Sequence, residues 1–235
     1  MRDVQILEAR GCAKRWLLGI HSASGVLGLT LLNTENDRSH RESRWMLDRD
    51  LVARFHLCLQ DFLPPVTWSE LAAIAVAIGP GSFTSCRLGV TVARSLGQTL
   101  DIPVFGISSL AAIAHASLFA TSLTTRRQPL VSRSFISVAV QMDARRGEWY
   151  GGIYTRDDDG LHVVEADRLW TDEAWRDRAA GIDLVDAAEF KTLSAALAMT
   201  QLAGQQYRQG ERPPWHAVEP AYIRQPPIHR GSQTR

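Results

Sequence analysis

Cysteine is scarce in this chain of 235 residues: Cys12, Cys58 and Cys86 are odd in number, widely spaced and form no CxxC pair. That usage argues against a disulfide framework and against a zinc site, and it fits a reducing compartment. No apolar run approaches the roughly 20 residues needed to cross a bilayer. Residues 1–15 carry charges but are not followed by the apolar segment and small-residue cleavage site of a secretory signal. A soluble, cytoplasmic protein without membrane contact is therefore expected. Charge of one sign is also lacking. With 26 basic and 25 acidic residues the net charge is +1, which argues against holding nucleic acid by phosphate neutralisation alone. Any RNA contact should be local or supplied by a partner.

What is present is a chain 45% hydrophobic, enough for one good-sized core or two small ones. Its most informative stretch is 74–89. The apolar run Ile74-Ala75-Val76-Ala77-Ile78 ends abruptly at Gly79-Pro80-Gly81 and is followed by helix-compatible residues to Leu100. This pattern is a buried strand feeding a helix. Gly79 and Gly81 allow φ > 0 or a close approach of another chain segment, and Ser82 or Thr84 is placed to cap the helix. Because the first amides of a helix have no intrahelical acceptors, Gly79, Gly81, Ser82 and Thr84 form either an anion-holding loop or a purely structural turn. There is no Lys for a Walker loop, and a dinucleotide fingerprint would want Gly where Thr84 stands.

Residues 16–20, 26–32 and 39–47 read as three antiparallel strands, the first two joined by His21-Ser22-Ala23-Ser24-Gly25. Asp50 is placed to cap a helix to about residue 63, in which Leu51, Phe55, Cys58, Leu59 and Phe62 recur at helical spacing until Pro64-Pro65. In the helix after the central loop, Val90, Ala93, Gly97 and Leu100 align mostly small residues on one side, a face that packs on its own sheet or on another protein. Residues 102–107 read as a strand, and Ser108 or Ser109 caps a helix to about residue 120. The order β-β-β-α-β-α-β-α is that of a ribonuclease H-like lobe, assigned to residues 16–121 after an extension at 1–15. A polar stretch at 121–133 leads into a second, smaller lobe at 122–225. Its expected strands are 135–141, 148–155, 161–166 and 182–185, with helices at 172–179 and 192–207, and a tail at 226–235 completes the chain. The fold class is α/β.

The segment GPGSFTSCRLGVTVARSLGQTLDIPVFGISSLAAIA, together with 16–32, 142–150 and 220–224, resembles the TsaB (YeaZ) family. These are bacterial subunits of the machinery that makes N6-threonylcarbamoyladenosine at adenosine 37 of tRNA. The resemblance implies two ribonuclease H-like lobes of the actin, Hsp70 and sugar-kinase (ASKHA) superfamily, the second reduced. It also implies a non-catalytic subunit that dimerises with and organises a TsaD-type catalytic subunit. A TsaE-type ATPase would join the complex, tRNA would be reached only indirectly, and the isolated chain could form a homodimer. In the family the two helices of the first lobe pair with their counterparts in the partner. Carried onto this sequence, that places Leu51, Phe55, Leu59, Val90, Arg94 and Gly97 at the interface. No cofactor or metal is implied for this chain alone; ATP and metal are expected on the catalytic partner.

The chemistry-bearing residues are few. Active ASKHA members carry an acid near the end of the first strand, where this sequence has His21. Imidazole is a poor Mg²⁺ ligand, and His21 is read as a partly buried residue hydrogen-bonded beside a turn. The catalytic paralogue has a His-x-x-x-His metal pair that falls here on Ser109 and Ile113, leaving His115 alone. Ser85 stands where the family commonly has Gly. Asp143, Arg145 and Glu148 mark a second-lobe motif that either faces the cleft or a partner, or is an Asp-initiated turn with solvated arginines. Arg38, Arg41, Arg44, Arg49 and Arg54 interleave with acids and read as a solvated, salt-bridged face. Two other functions stay open: an ATP-using enzyme of the same superfamily with its phosphate loop at 79–84, and a self-associating binding module.

Overall fold

The computed structural model describes residues 14–124, 136–157, 159–189 and 192–223. Most of the N-terminal extension, most of the 121–133 connection and the tail from 226 lie outside the described residues.

Three strands open the fold: β1 (Trp16–His21), β2 (Val26–Asn33) and β3 (His40–Met46), each antiparallel to the one before. A 3₁₀ turn at Asp48–Asp50 leads into α1 (Leu51–Phe62), and β4 (Leu71–Gly79) then returns parallel to β1. After α2 (Phe83–Leu100), β5 (Val104–Ser108) pairs parallel with β4, giving the sheet order β3-β2-β1-β4-β5. Helix α3 (Ser109–Thr124) follows directly. β4 is apolar throughout because the sheet is covered on both faces, the usual setting of parallel strands. Its even-numbered residues Ile74 and Val76 pack with Leu18, Ile20, Phe55, Leu59 and Val90 on the α1 and α2 side. The odd-numbered Ala73, Ala75 and Ala77 face the other way, toward Leu17, Phe105 and Ala112 of α3.

The second sheet is built from β6 (Ile136–Arg145), β7 (Glu148–Arg156) and β8 (Leu161–Thr171) as an antiparallel meander. β9 (Asp183–Asp186), reached through α4 (Asp172–Arg178), lies parallel to β6 in the order β8-β7-β6-β9. Helix α3 covers one face through Leu110, Ile113, Ala114 and Leu118 against Val138, Val140 and Tyr154. On the other face Trp175 of α4 packs with Ile153 and Trp170. β8 runs well past the expected end at 166. Trp170 anchors it, its ring 5.5 Å from that of Trp175 and its Nε1 donating to the Gly151 carbonyl at 3.1 Å.

Helix α5 (Thr192–Arg208) departs from the expectation that it completes the second lobe. Met199 and Ala203 pack into the first sheet against Leu17 and Ala75, while Ala195 reaches the α3 and second-sheet cluster. The chain then stays with the first sheet. Val218 joins the α1 and α2 core, Trp215 packs on it, and the Ala221 N–H donates to the Ile78 carbonyl at 2.8 Å.

Two expected caps are made differently. Asp50 precedes α1 and Ser82 precedes α2, but neither side chain caps its helix; the 3₁₀ turn supplies the entry to α1. At α3 the Ser108 hydroxyl does accept from the Leu110 and Ala111 amides. The same hydroxyl donates to Asp167 of β8, whose other oxygen accepts from Tyr154. This partly buried network ties the β5–α3 junction to the second sheet. Burial raises the Asp167 pKa, and the two hydroxyl bonds only partly oppose the shift.

Candidate functional site

A cleft of about 480 Å³ opens between the ends of the two sheets. The first sheet lines it with His21 at the end of β1, Ala23 and Ser24 in the turn that follows, and Gly81 and Ser82 before α2. Helix α3 contributes Ser109 and Ile113, α5 contributes Ala195, and the second sheet contributes Met142, Asp143, Ala144 and Arg145 of β6 with Tyr150 of β7. A volume of this size falls within the range of small-molecule pockets.

The glycine loop is closed on itself. Gly79 has φ +115°, a conformation that side chains disfavour. A Cβ at Gly81 would lie 2.3 Å from the Ala23 carbonyl oxygen. The Ser82 N–H donates to that same carbonyl at 2.6 Å, and the Ser22 hydroxyl donates to the Ser85 carbonyl at 2.9 Å. Ser85 in turn donates its hydroxyl to Ser82. The second glycine is therefore explained by contact between the loop and the β1–β2 turn, with no ligand required.

The floor of the cleft is different. His21 is buried, and neither ring nitrogen has a hydrogen-bond partner among the described residues; the same is true of the Ser109 hydroxyl. This corrects the reading of His21 as a hydrogen-bonded residue beside a turn. Burial lowers its pKa to about 4, so the ring is neutral near pH 7. At the mouth, β6 extends to Arg145 where a strand to 141 was expected, so that Asp143 and Arg145 line the cleft. The reversal is confined to Arg145-Arg146-Gly147, all at positive φ, and the Asp143 carboxylate accepts from the Arg145 N–H at 2.7 Å. Glu148 pairs with Arg145 across the hairpin and does not line the cleft. The polar residues lining the cleft thus carry a neutral imidazole, hydroxyls, one carboxylate that accepts and one guanidinium that donates. Among the described residues no three His, Cys, Asp or Glu side chains cluster as metal ligands.

Comparison with known proteins places this geometry. Residues 64–177 match the family described as TsaD, tRNA N6-adenosine threonylcarbamoyltransferase. The tRNA threonylcarbamoyladenosine biosynthesis protein TsaB of Escherichia coli (strain K12) is 26% identical over 234 residues, spanning 88% of this chain and 94% of its own length. That of Bacillus subtilis (strain 168) is 37% identical over 99 residues, 42% of this chain and 37% of its own. YeaZ from Pseudomonas aeruginosa shares the fold, with a TM-score of 0.70 at 20% identity over 88% of this chain and 99% of that one. The chain is thus similar to TsaB over nearly the whole of both chains and shares the fold of YeaZ. That shared fold is α/β, with a five-stranded sheet followed by a smaller four-stranded one.

Within this fold the residues expected at a partner interface lie elsewhere. Leu51, Phe55, Leu59 and Val90 are 3%, 2%, 5% and 2% exposed and fill the chain's own core. A Cβ on Gly97 would meet Val104 Cγ2 at 2.4 Å and Trp215 Cβ at 2.9 Å, so its smallness serves packing of α2 on its own sheet. The half-buried Arg94 reaches the Val218 carbonyl at 3.4 Å. The apolar spacing found the buried faces of both helices. Outside those faces, Val52 and Leu57 of α1 are 60% and 48% exposed. On α2, Leu88, Val92, Leu96 and Leu100 recur every fourth residue along the flank of the helix, partly buried and packed against the same core. The arginine cluster also divides. Arg41 donates to the Phe62, Leu63 and Pro64 carbonyls and lies 4.9 Å from the Phe62 ring centroid, finishing the α1 C-terminus rather than forming part of a solvated face.

Proposed function

We propose that the chain is a non-catalytic subunit that pairs with a TsaD-type catalytic subunit in N6-threonylcarbamoyladenosine modification of tRNA. The observation that carries this reading is the match to TsaB along nearly the whole of both chains. The cleft's chemistry supports it: His21 stands at the end of the first strand, where phosphate and metal chemistry would use a carboxylate. ATP and its metal then belong to the partner, and tRNA is engaged through the complex. The pairing surface includes α1 and α2, where Val52 and Leu57 are exposed and the Leu88, Val92, Leu96 and Leu100 row is only partly covered by the chain's own core. Burying such apolar side chains in an interface contributes about 25 cal/mol per Å² before the costs of association.

The test is light scattering on a size-exclusion column with this chain alone and mixed with the TsaD-type protein of the same cell. A defined heteromer is expected, and Val52→Asp with Leu57→Asp should disperse it while the variant alone unfolds at the wild-type denaturant midpoint. Two unchanged peaks from the wild-type mixture would overturn the reading.

A further inference from the structure

We propose that Phe83, Tyr222 and Arg87 form a surface platform on which an unpaired base of RNA stacks. The two rings come from segments far apart in the chain. Phe83 is the first residue of α2, and Tyr222 is held beside it because the neighbouring Ala221 N–H donates to the Ile78 carbonyl at 2.8 Å. The ring centroids are 5.6 Å apart with the planes at 47°, yet each residue stays 46% exposed. The Arg87 guanidinium lies 5.1 Å from the Phe83 centroid; it is exposed and makes no ion pair among the described residues.

The surroundings select the occupant. Phe83 and Tyr222 are the exposed large hydrophobic residues of 79–88 and 213–223, and the adjacent Ser82 and Thr84 are exposed and polar. An apolar protein surface finds no aliphatic patch to bury here. A nucleotide presents a flat face to stack on a ring, a phosphate to meet an unspent guanidinium and sugar hydroxyls to meet Ser82 and Thr84. The contact is local, as a chain with a net charge of +1 requires. None of Phe83, Arg87 and Tyr222 lines the cleft. That the strand is RNA rests on the tRNA-modification reading above.

The test is fluorescence anisotropy of a labelled RNA stem-loop and of a fully paired RNA duplex of equal length, each titrated with the full chain at about 50 mM salt. The stem-loop should bind more tightly, since a duplex leaves no base face free. Phe83→Leu and Tyr222→Leu should each weaken it about tenfold, the effect of losing one stacking contact, while Tyr222→Phe keeps the ring and the affinity. Arg87→Gln should reduce the salt dependence by about one phosphate. Equal binding of stem-loop and duplex, or wild-type affinity in both leucine variants, would overturn the proposal. So would leucine variants that keep their RNA affinity but no longer form the heteromer, which would make the patch a protein-docking surface. A wild-type chain that forms the heteromer and ignores RNA sinks this proposal alone; one that prefers the stem-loop but forms no heteromer sinks the pairing alone.

Discussion

The Gly79–Ser85 loop and the floor of the cleft adjoin one another and treat their polar groups in opposite ways. In the loop the Ser22 and Ser85 hydroxyls and the Ser82 amide each find a partner within the chain. At the floor, His21 and Ser109 find none among the described residues. The more conspicuous motif is thus a packing device, and the inconspicuous residues beside it are the ones left with unused bonding capacity. A glycine-rich turn in sequence reports close approach, but what approaches can be the chain itself.

The largest test of that contrast is Gly81→Val. The added atoms meet the Ala23 main chain, which cannot swing aside as a side chain would, and a loss of about 3 kcal/mol in urea unfolding is expected. Wild-type stability would return the loop to the list of open sites.

The next test is pH. His21 has its pKa lowered from 6.5 to about 4 in the fold, so the folded state binds fewer protons than the unfolded chain between those values. Its contribution is complete above pH 6.5 and is lost as pH falls toward 4, of the order of 2–3 kcal/mol in all. His115 is shifted the same way, so the measurement is the difference between wild type and His21→Phe at pH 7.5 and pH 4.5. The variant should lose distinctly less stability on acidification, and equal losses would mean that His21 is not buried uncharged.

Smaller effects separate two serines that are equally hidden. Ser22→Ala removes a made bond and should cost about 1 kcal/mol. Ser109→Ala removes a hydroxyl with no partner and should be neutral or slightly stabilising. Equal costs would erase the distinction between loop and floor.

Much of this architecture was legible from periodicity. The apolar run of β4, the five-residue stripe of α1 and the small-residue side of α2 gave the elements and their buried faces, because burial selects residue type at each turn of the pattern. The interface residues, which the family resemblance implied, fell on those same faces. Phe55 and Val90 have the residue types of a docking surface, and only tertiary contact shows that the chain's own sheet already covers them. The cleft was half visible: Gly81, Ser82, Asp143 and Arg145 were singled out and do line it. His21 was read as satisfied and Ser109 as a lost metal position, since the absence of a partner is a property of three-dimensional surroundings and has no sequence pattern. The length of β6 was missed because the Asp143-Ala144-Arg145 stretch looks like turn chemistry, while the ladder to β7 continues through it.

The return of α5, Trp215 and Val218 to the first sheet bears on how the protein emerges from the ribosome. Each face of a sheet begun at Trp16 stays without part of its cover until later residues have been made, α5 on one side and Val218 on the other. The first half of the chain therefore waits, partly bare, through the synthesis of the second, and a fragment ending near residue 121 should aggregate rather than fold.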